Sequence, residues 1–200
     1  GSGSLSSVSP GSDGEYTASY TAGTVAGDVV IGGTVNDIPI TDTAEVTLRP
    51  GADFALAITT PPSAGSAYSG EVLGTQPVVE IRDEFSNETE STATVDVELT
   101  SGVGTLTGTT SVDAVLGVAT FSDLVITGTA SEPYVLTFSS GGLTDAESSS
   151  FFLAKEPQTI TFGTAPAPTW SDGGTFTVSA TASRGLPVSF SFDTTGVCTA

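Results

Sequence analysis

The chain has 200 residues, of which 38% are hydrophobic, enough for one large domain or about two ordinary ones with an apolar core. Four basic residues face 23 acidic ones, for a net charge of -19. That balance excludes nucleic acid as a partner, because phosphate contacts need Lys and Arg, and an anionic membrane surface would repel the chain. Histidine is absent, which removes the commonest general base and the Ser-His-Asp triad.

The apolar residues are mainly Val, Ile, Leu, Phe and Tyr, interleaved with Thr, Ser and Gly, the mixture that suits a half-buried pleated surface punctuated by turns. No stretch sustains a 3.6-residue period over helix formers, so the fold class is all-β. No apolar run is long enough to span a bilayer, and no charged-then-apolar leader opens the sequence. Gly1-Ser2-Gly3-Ser4 reads as a flexible linker.

The first segment, residues 1–50, predicts strands over 15–21, 28–35 and 44–49, with Asn36-Asp37 as a turn before Ile38-Pro39. Arg49-Pro50-Gly51 is a break. The second segment, 51–154, predicts strands over 54–60, 77–83, 93–99, 105–107, 111–114, 118–121, 124–126, 134–139 and 148–154. Val79 and Ile81 alternate with Glu80 and Arg82, and Val95, Val97 and Leu99 share one face. Short strands at this spacing, separated by Gly and Ser, are the pattern of a sandwich. Lys155-Glu156-Pro157 is a second break. The third segment, 155–200, predicts strands over 159–162, 175–181 and 188–192.

One strand is written twice, at Tyr16-Thr17-Ala18-Ser19-Tyr20 and at Tyr134-Val135-Leu136-Thr137-Phe138. The second copy has a full set of strands before it and the first does not. The expected organisation is therefore tandem sandwich domains, incomplete at both ends. Residues 1–50 would close one domain, 51–154 would form a complete one, and 155–200 would open another.

Particular motifs sharpen this reading. Asp13-Gly14-Glu15-Tyr16 is similar to the tyrosine corner of immunoglobulin-like sandwiches, in which a Tyr hydroxyl bonds back to the main chain. Val79-Glu80-Ile81-Arg82-Asp83-Glu84-Phe85-Ser86-Asn87 resembles the V-x-V-x-D-x-x-G-N signature of bacterial Ig-like repeats, with Ser86 in place of the Gly. Gly117-Val118-Ala119-Thr120-Phe121 resembles the G-x-A-x-F strand of the same repeats. The stretches 158–162 and 179–190 are similar to another Ig-like module of large bacterial surface proteins. The resemblance is to the repeats of invasin- and intimin-type proteins and giant adhesins. It implies a secreted, cell-surface stalk of serial domains, and a disulfide from Cys198 to a cysteine beyond the segment.

Several residues could carry chemistry of their own. Asp83, Glu84, Asn87, Glu88 and Glu90 crowd one predicted loop, and carboxylate and amide oxygens are what a calcium ion takes. Asp53 joins them only if the fold brings its end close. The competing reading is a solvated acidic loop. The same carboxylates, Asp83, Glu84, Glu88 and Glu90, are the candidates for a glycosidase pair. Trp170, in a Gly-rich loop, suits either sugar stacking or core packing, and the carbohydrate-binding alternative expects Tyr68 or Phe85 to be exposed beside it. Asn87-Glu88-Thr89 fits the N-glycosylation pattern. The function expected is non-catalytic: an extracellular stalk or adhesion segment that requires no cofactor, with calcium as the one candidate. Its partners would be neighbouring Ig-like domains and a cell-surface glycan or protein, and it would not enter a membrane. A filament completed by strand exchange and a carbohydrate-binding module are the alternatives.

Overall fold

The computed structural model describes residues 1–164 and 175–191. Trp170 and Cys198 lie outside the described residues. The chain is all-β; among the described residues there is no helix. It divides into two compact units, one ending at Ala154 and the other beginning at Lys155.

The first unit opens with two interrupted hairpins. In one, β1 (Gly3–Leu5), β2 (Ser9–Pro10), β3 (Tyr16–Thr17) and β4 (Tyr20–Ala22) pair as β1 with β4 and β2 with β3. Its turn is Asp13-Gly14, with φ of 58° and 81°. In the other, β5 (Gly27–Ile31), β6 (Thr34–Val35), β7 (Ile38–Pro39) and β8 (Ala44–Leu48) pair as β5 with β8 and β6 with β7. The turn here is Asn36-Asp37, with φ of 50° and 63°. Left-handed conformation at both central residues matches the twist of the flanking strands, and Asn and Asp tolerate it better than other side chains. No side chain in residues 1–50 is buried; Val30, Val35 and Ile38 are among those left exposed.

The core lies in the rest of this unit. Its strands are β9 (Ala55–Thr60), β10 (Val78–Arg82), β11 (Thr94–Ser101), β12 (Gly104–Thr107), β13 (Ser111–Asp113), β14 (Val118–Thr120), β15 (Val125–Gly128), β16 (Val135–Ser139) and β17 (Ala146–Glu147). One antiparallel sheet has the order β14-β10-β9, another the order β13-β11-β16-β17, and β12 pairs with β15. The period-two pattern explains which side chains meet. Val79 and Ile81 of β10 and Val95 and Val97 of β11 turn inward to a single cluster, with Leu99 packed against it. Glu80 and Arg82 face outward and pair at 2.8 Å. Phe121, just after β14, meets Phe138 of β16 with ring centroids 5.5 Å apart, so aromatic packing joins the two sheets.

Tyr134 is fully buried, and its hydroxyl donates to the carbonyl of Thr129 at 2.9 Å. That bond, to main chain five residues upstream, has the form of a tyrosine corner. A Cβ at Gly128 would collide with the Tyr134 hydroxyl, so the ring can enter only because residue 128 has no side chain. The corner expected at Tyr16 is overturned. Tyr16 stands opposite Pro10 in a hairpin and is 69% exposed. In that hairpin it is Tyr20 that reaches main chain, donating to the Ser2 carbonyl at 2.7 Å. The two copies of the strand are alike in sequence and different in environment.

The strand expected over 148–154 is also displaced. β17 ends at Glu147, and Leu136 then donates its N–H to the Ser148 hydroxyl instead of to a carbonyl. The ladder breaks there and resumes as one bridge between Tyr134 and Phe151. Ahead of β17, Thr144 pairs in parallel with Ala55 of β9, so this last segment touches both sheets.

In the second unit β18 (Ile160–Phe162) pairs with β19 (Ala180–Ala182). Phe162 stacks edge-on against Phe190 at 6.1 Å, and Arg184 pairs with Glu156. Residues 175–179 and 188–191 are not strand, so the strand expected over 175–181 is reduced to its end.

Candidate functional site

The acidic loop follows β10. Asp83 opens it and Asn87 closes it, with the Asp83 N–H donating to the Asn87 carbonyl at 2.9 Å and the Ser86 N–H to the Asp83 carbonyl at 3.0 Å. Ser86 has a φ of 68°, a left-handed conformation that favours Gly. Beyond the loop Thr89 is buried, and both its N–H and its hydroxyl donate to the Ile81 carbonyl. Gly117 supports the loop from below. Its φ is 84°, and a Cβ there would collide with the Thr89 carbonyl.

Asp83 is 4% exposed and its carboxylate is fully engaged. Oδ1 accepts from the N–H of Phe85 at 2.9 Å and of Asn87 at 2.8 Å. Oδ2 accepts from the N–H of Gly51 and from Asn87 Nδ2, both at 2.8 Å. The Asn87 side chain, helped by the backbone of Gly51, Asn87 and Phe85 and opposed by burial, holds the Asp83 carboxyl down at about 2. Such a group is ionised throughout the neutral range and cannot serve as a general acid there.

Asn87 turns its amide toward the first segment. Oδ1 accepts from the Ala26 N–H at 2.9 Å, and Nδ2 donates to the Thr24 carbonyl at 2.8 Å as well as to Asp83. Two side chains thus tie residues 24–26, the Gly51 linker and the β10 end together. Beside this contact runs a cleft of about 530 Å³, bounded by Leu48, Arg49 and Pro50 on one side and by Asn87, Glu88 and Leu116 on the other.

Three of the other residues singled out in the sequence lie on the same stretch as this pair. Glu84, Glu88 and Glu90 are exposed. Glu90 meets Arg49 at 3.1 Å, a surface pair of small energetic weight. Asp53 lies against Ser91, accepting from its hydroxyl at 2.6 Å. Among the described residues no group of three or more His, Cys, Asp or Glu stands where it could hold a metal ion. Asp83 presents its acceptor sites to N–H donors, and a cation would have to displace them. The glycosylation pattern is engaged in the same way, with Asn87 Nδ2 bonded and Thr89 buried. Phe85 is 57% exposed and Tyr68 half-buried.

Sequence reasoning missed Thr24, Ala26 and Gly51. All three enter through main-chain atoms, so their side chains carry no sign of the role. No protein-family model and no curated protein matches the chain.

Proposed function

We propose that this chain is a non-catalytic, extracellular stalk segment built of serial Ig-like β-sandwich repeats from a large bacterial surface protein. The observation that carries the reading is the seating of residues 24–26 on the Asp83–Asn87 loop of the core-bearing stretch. Neighbouring segments joined in series by side-chain bonds to main chain are what a load-bearing rod requires. The buried tyrosine corner and the two sheets around one core support the Ig-like assignment. The rigid Pro50 at the junction supports restricted bending. An acidic surface with few lysines keeps parallel stalks apart. The partners are neighbouring repeats, and no metal or cofactor is required.

Force spectroscopy on the whole chain tests this. The stretch 51–154 should unfold as one cooperative event, releasing about 35 nm at roughly 3.6 Å per residue, and a glycan array should give no signal above background. Specific glycan binding or glycan hydrolysis would refute the stalk. The exposed apolar faces of the two hairpins favour one second reading, a filament completed by strands from a neighbouring chain. Light scattering at high concentration separates the two, since a monodisperse monomer excludes the filament.

A further inference from the structure

We propose that the Asp83–Asn87 pair is a coupling site whose partner is the main chain of the preceding segment, whatever its side chains. The inference rests on the stalk reading for its purpose, though not for its geometry. In a parallel ladder, one residue donates its N–H to the carbonyl of residue j−1 and accepts from the N–H of residue j+1. Asn87 makes the same two bonds with its side-chain amide, donating to Thr24 and accepting from Ala26, so that Val25 occupies position j. The amide therefore stands in for one residue of a parallel strand.

The spacing is a property of any extended backbone, and the side chains of Thr24, Val25 and Ala26 add no further bond to this grip. Asp83 completes the site. It takes the second hydrogen of Asn87 Nδ2 and the Gly51 N–H, which fixes the amide plane and clamps the linker with the same carboxylate. An Asp at residue 87 would lose the Nδ2 donor and set a second carboxylate against both Asp83 and the Thr24 carbonyl. Pairing one donor with one acceptor is a test of backbone shape, and it fits repeats whose sequences have diverged.

Nitrogen-15 relaxation on the whole chain tests the proposal. In the unchanged protein, amides of residues 27–48 should share one rotational correlation time with amides of residues 94–139. Asn87→Ala should abolish that match, with residues 27–48 tumbling faster while core amide shifts around Tyr134 and Phe138 stay in place. Ala26→Pro removes the N–H from the other side and should do the same. Thr24→Ala and Val25→Ala should leave the match intact. A common correlation time retained in both Asn87→Ala and Ala26→Pro would overturn the proposal, as would decoupling by Val25→Ala. The unfolding signature of 51–154 can survive either result, so failure here is distinct from failure of the stalk.

Discussion

Ser86 occupies a conformation that its side chain does not favour, and replacing it with Gly should stabilise the fold. Its φ of 68° lies in the left-handed region, which costs a residue with a Cβ about 1–2 kcal/mol. Glycine removes that cost but gives the unfolded chain more freedom, worth about 0.4–1 kcal/mol in the other direction. The Ser86 side chain is exposed, and its backbone N–H donates to the Asp83 carbonyl at 3.0 Å, a bond that glycine keeps. The balance is a gain of about 0.5–1 kcal/mol. For a cooperative unit near a hundred residues this raises Tm by roughly 2–8 °C. Differential scanning calorimetry on Ser86→Gly reads the shift directly. Ser86→Ala serves as the control, since it keeps the strained backbone and should leave Tm where it is. A Ser86→Gly Tm equal to or below the starting value would refute the reasoning, because the positive φ would then carry no recoverable cost.

Three further outcomes follow from named contacts. The Asp83 carboxyl is held at about 2 against 3.8 for the free group, so its stabilising contribution is complete above about pH 4 and is lost as pH falls from 3.8 toward 2. A carbon-13 titration of Asp83 should have its midpoint near 2, and a midpoint at or above 3.8 would contradict the hydrogen-bond cage. Tyr134→Phe keeps the buried ring and deletes the bond to Thr129, at a cost of about 1 kcal/mol or roughly 4–8 °C in Tm. Tyr16→Phe should change nothing, and equal effects from the two would undo the distinction between the copies. Calcium in excess and a chelator should give the same Tm; a rise with calcium would show that the ion can displace the N–H donors from Asp83.

What the sequence made legible is what period and motif encode through side chains. Val79, Ile81, Val95 and Val97 alternate as they point, and all four are buried. In the G-x-A-x-F strand each named residue has a physical reason. Gly117 has no room for a Cβ, and Ala119 and Phe121 face the core. The Asp and Asn of the acidic loop were identified by type, but the main-chain groups they bond were not. They read as cation ligands because carboxylates and amides serve cations and N–H groups alike. The partners that the structure places there, Thr24, Ala26 and Gly51, contribute only backbone, which every residue has. Tyr16 misled for a related reason. A strand's sequence states which side chains could be buried, and the amount of chain packed over it decides whether they are.

The parallel bridge between Ala55 and Thr144 sets how the core-bearing stretch would respond to pulling. Leu56 donates to the Thr144 carbonyl at 2.9 Å, and Thr144 donates to the Phe54 carbonyl at 3.0 Å. Tension applied between Gly51 and Ala154 draws β9 one way and the segment through Thr144 the other. Two parallel strands pulled from opposite ends slide lengthwise, so both bonds are loaded together in shear and neither can be peeled open before the other. The first and last segments of the stretch thus act as its mechanical latch, besides placing Leu56, Ala146 and Leu153 in its core.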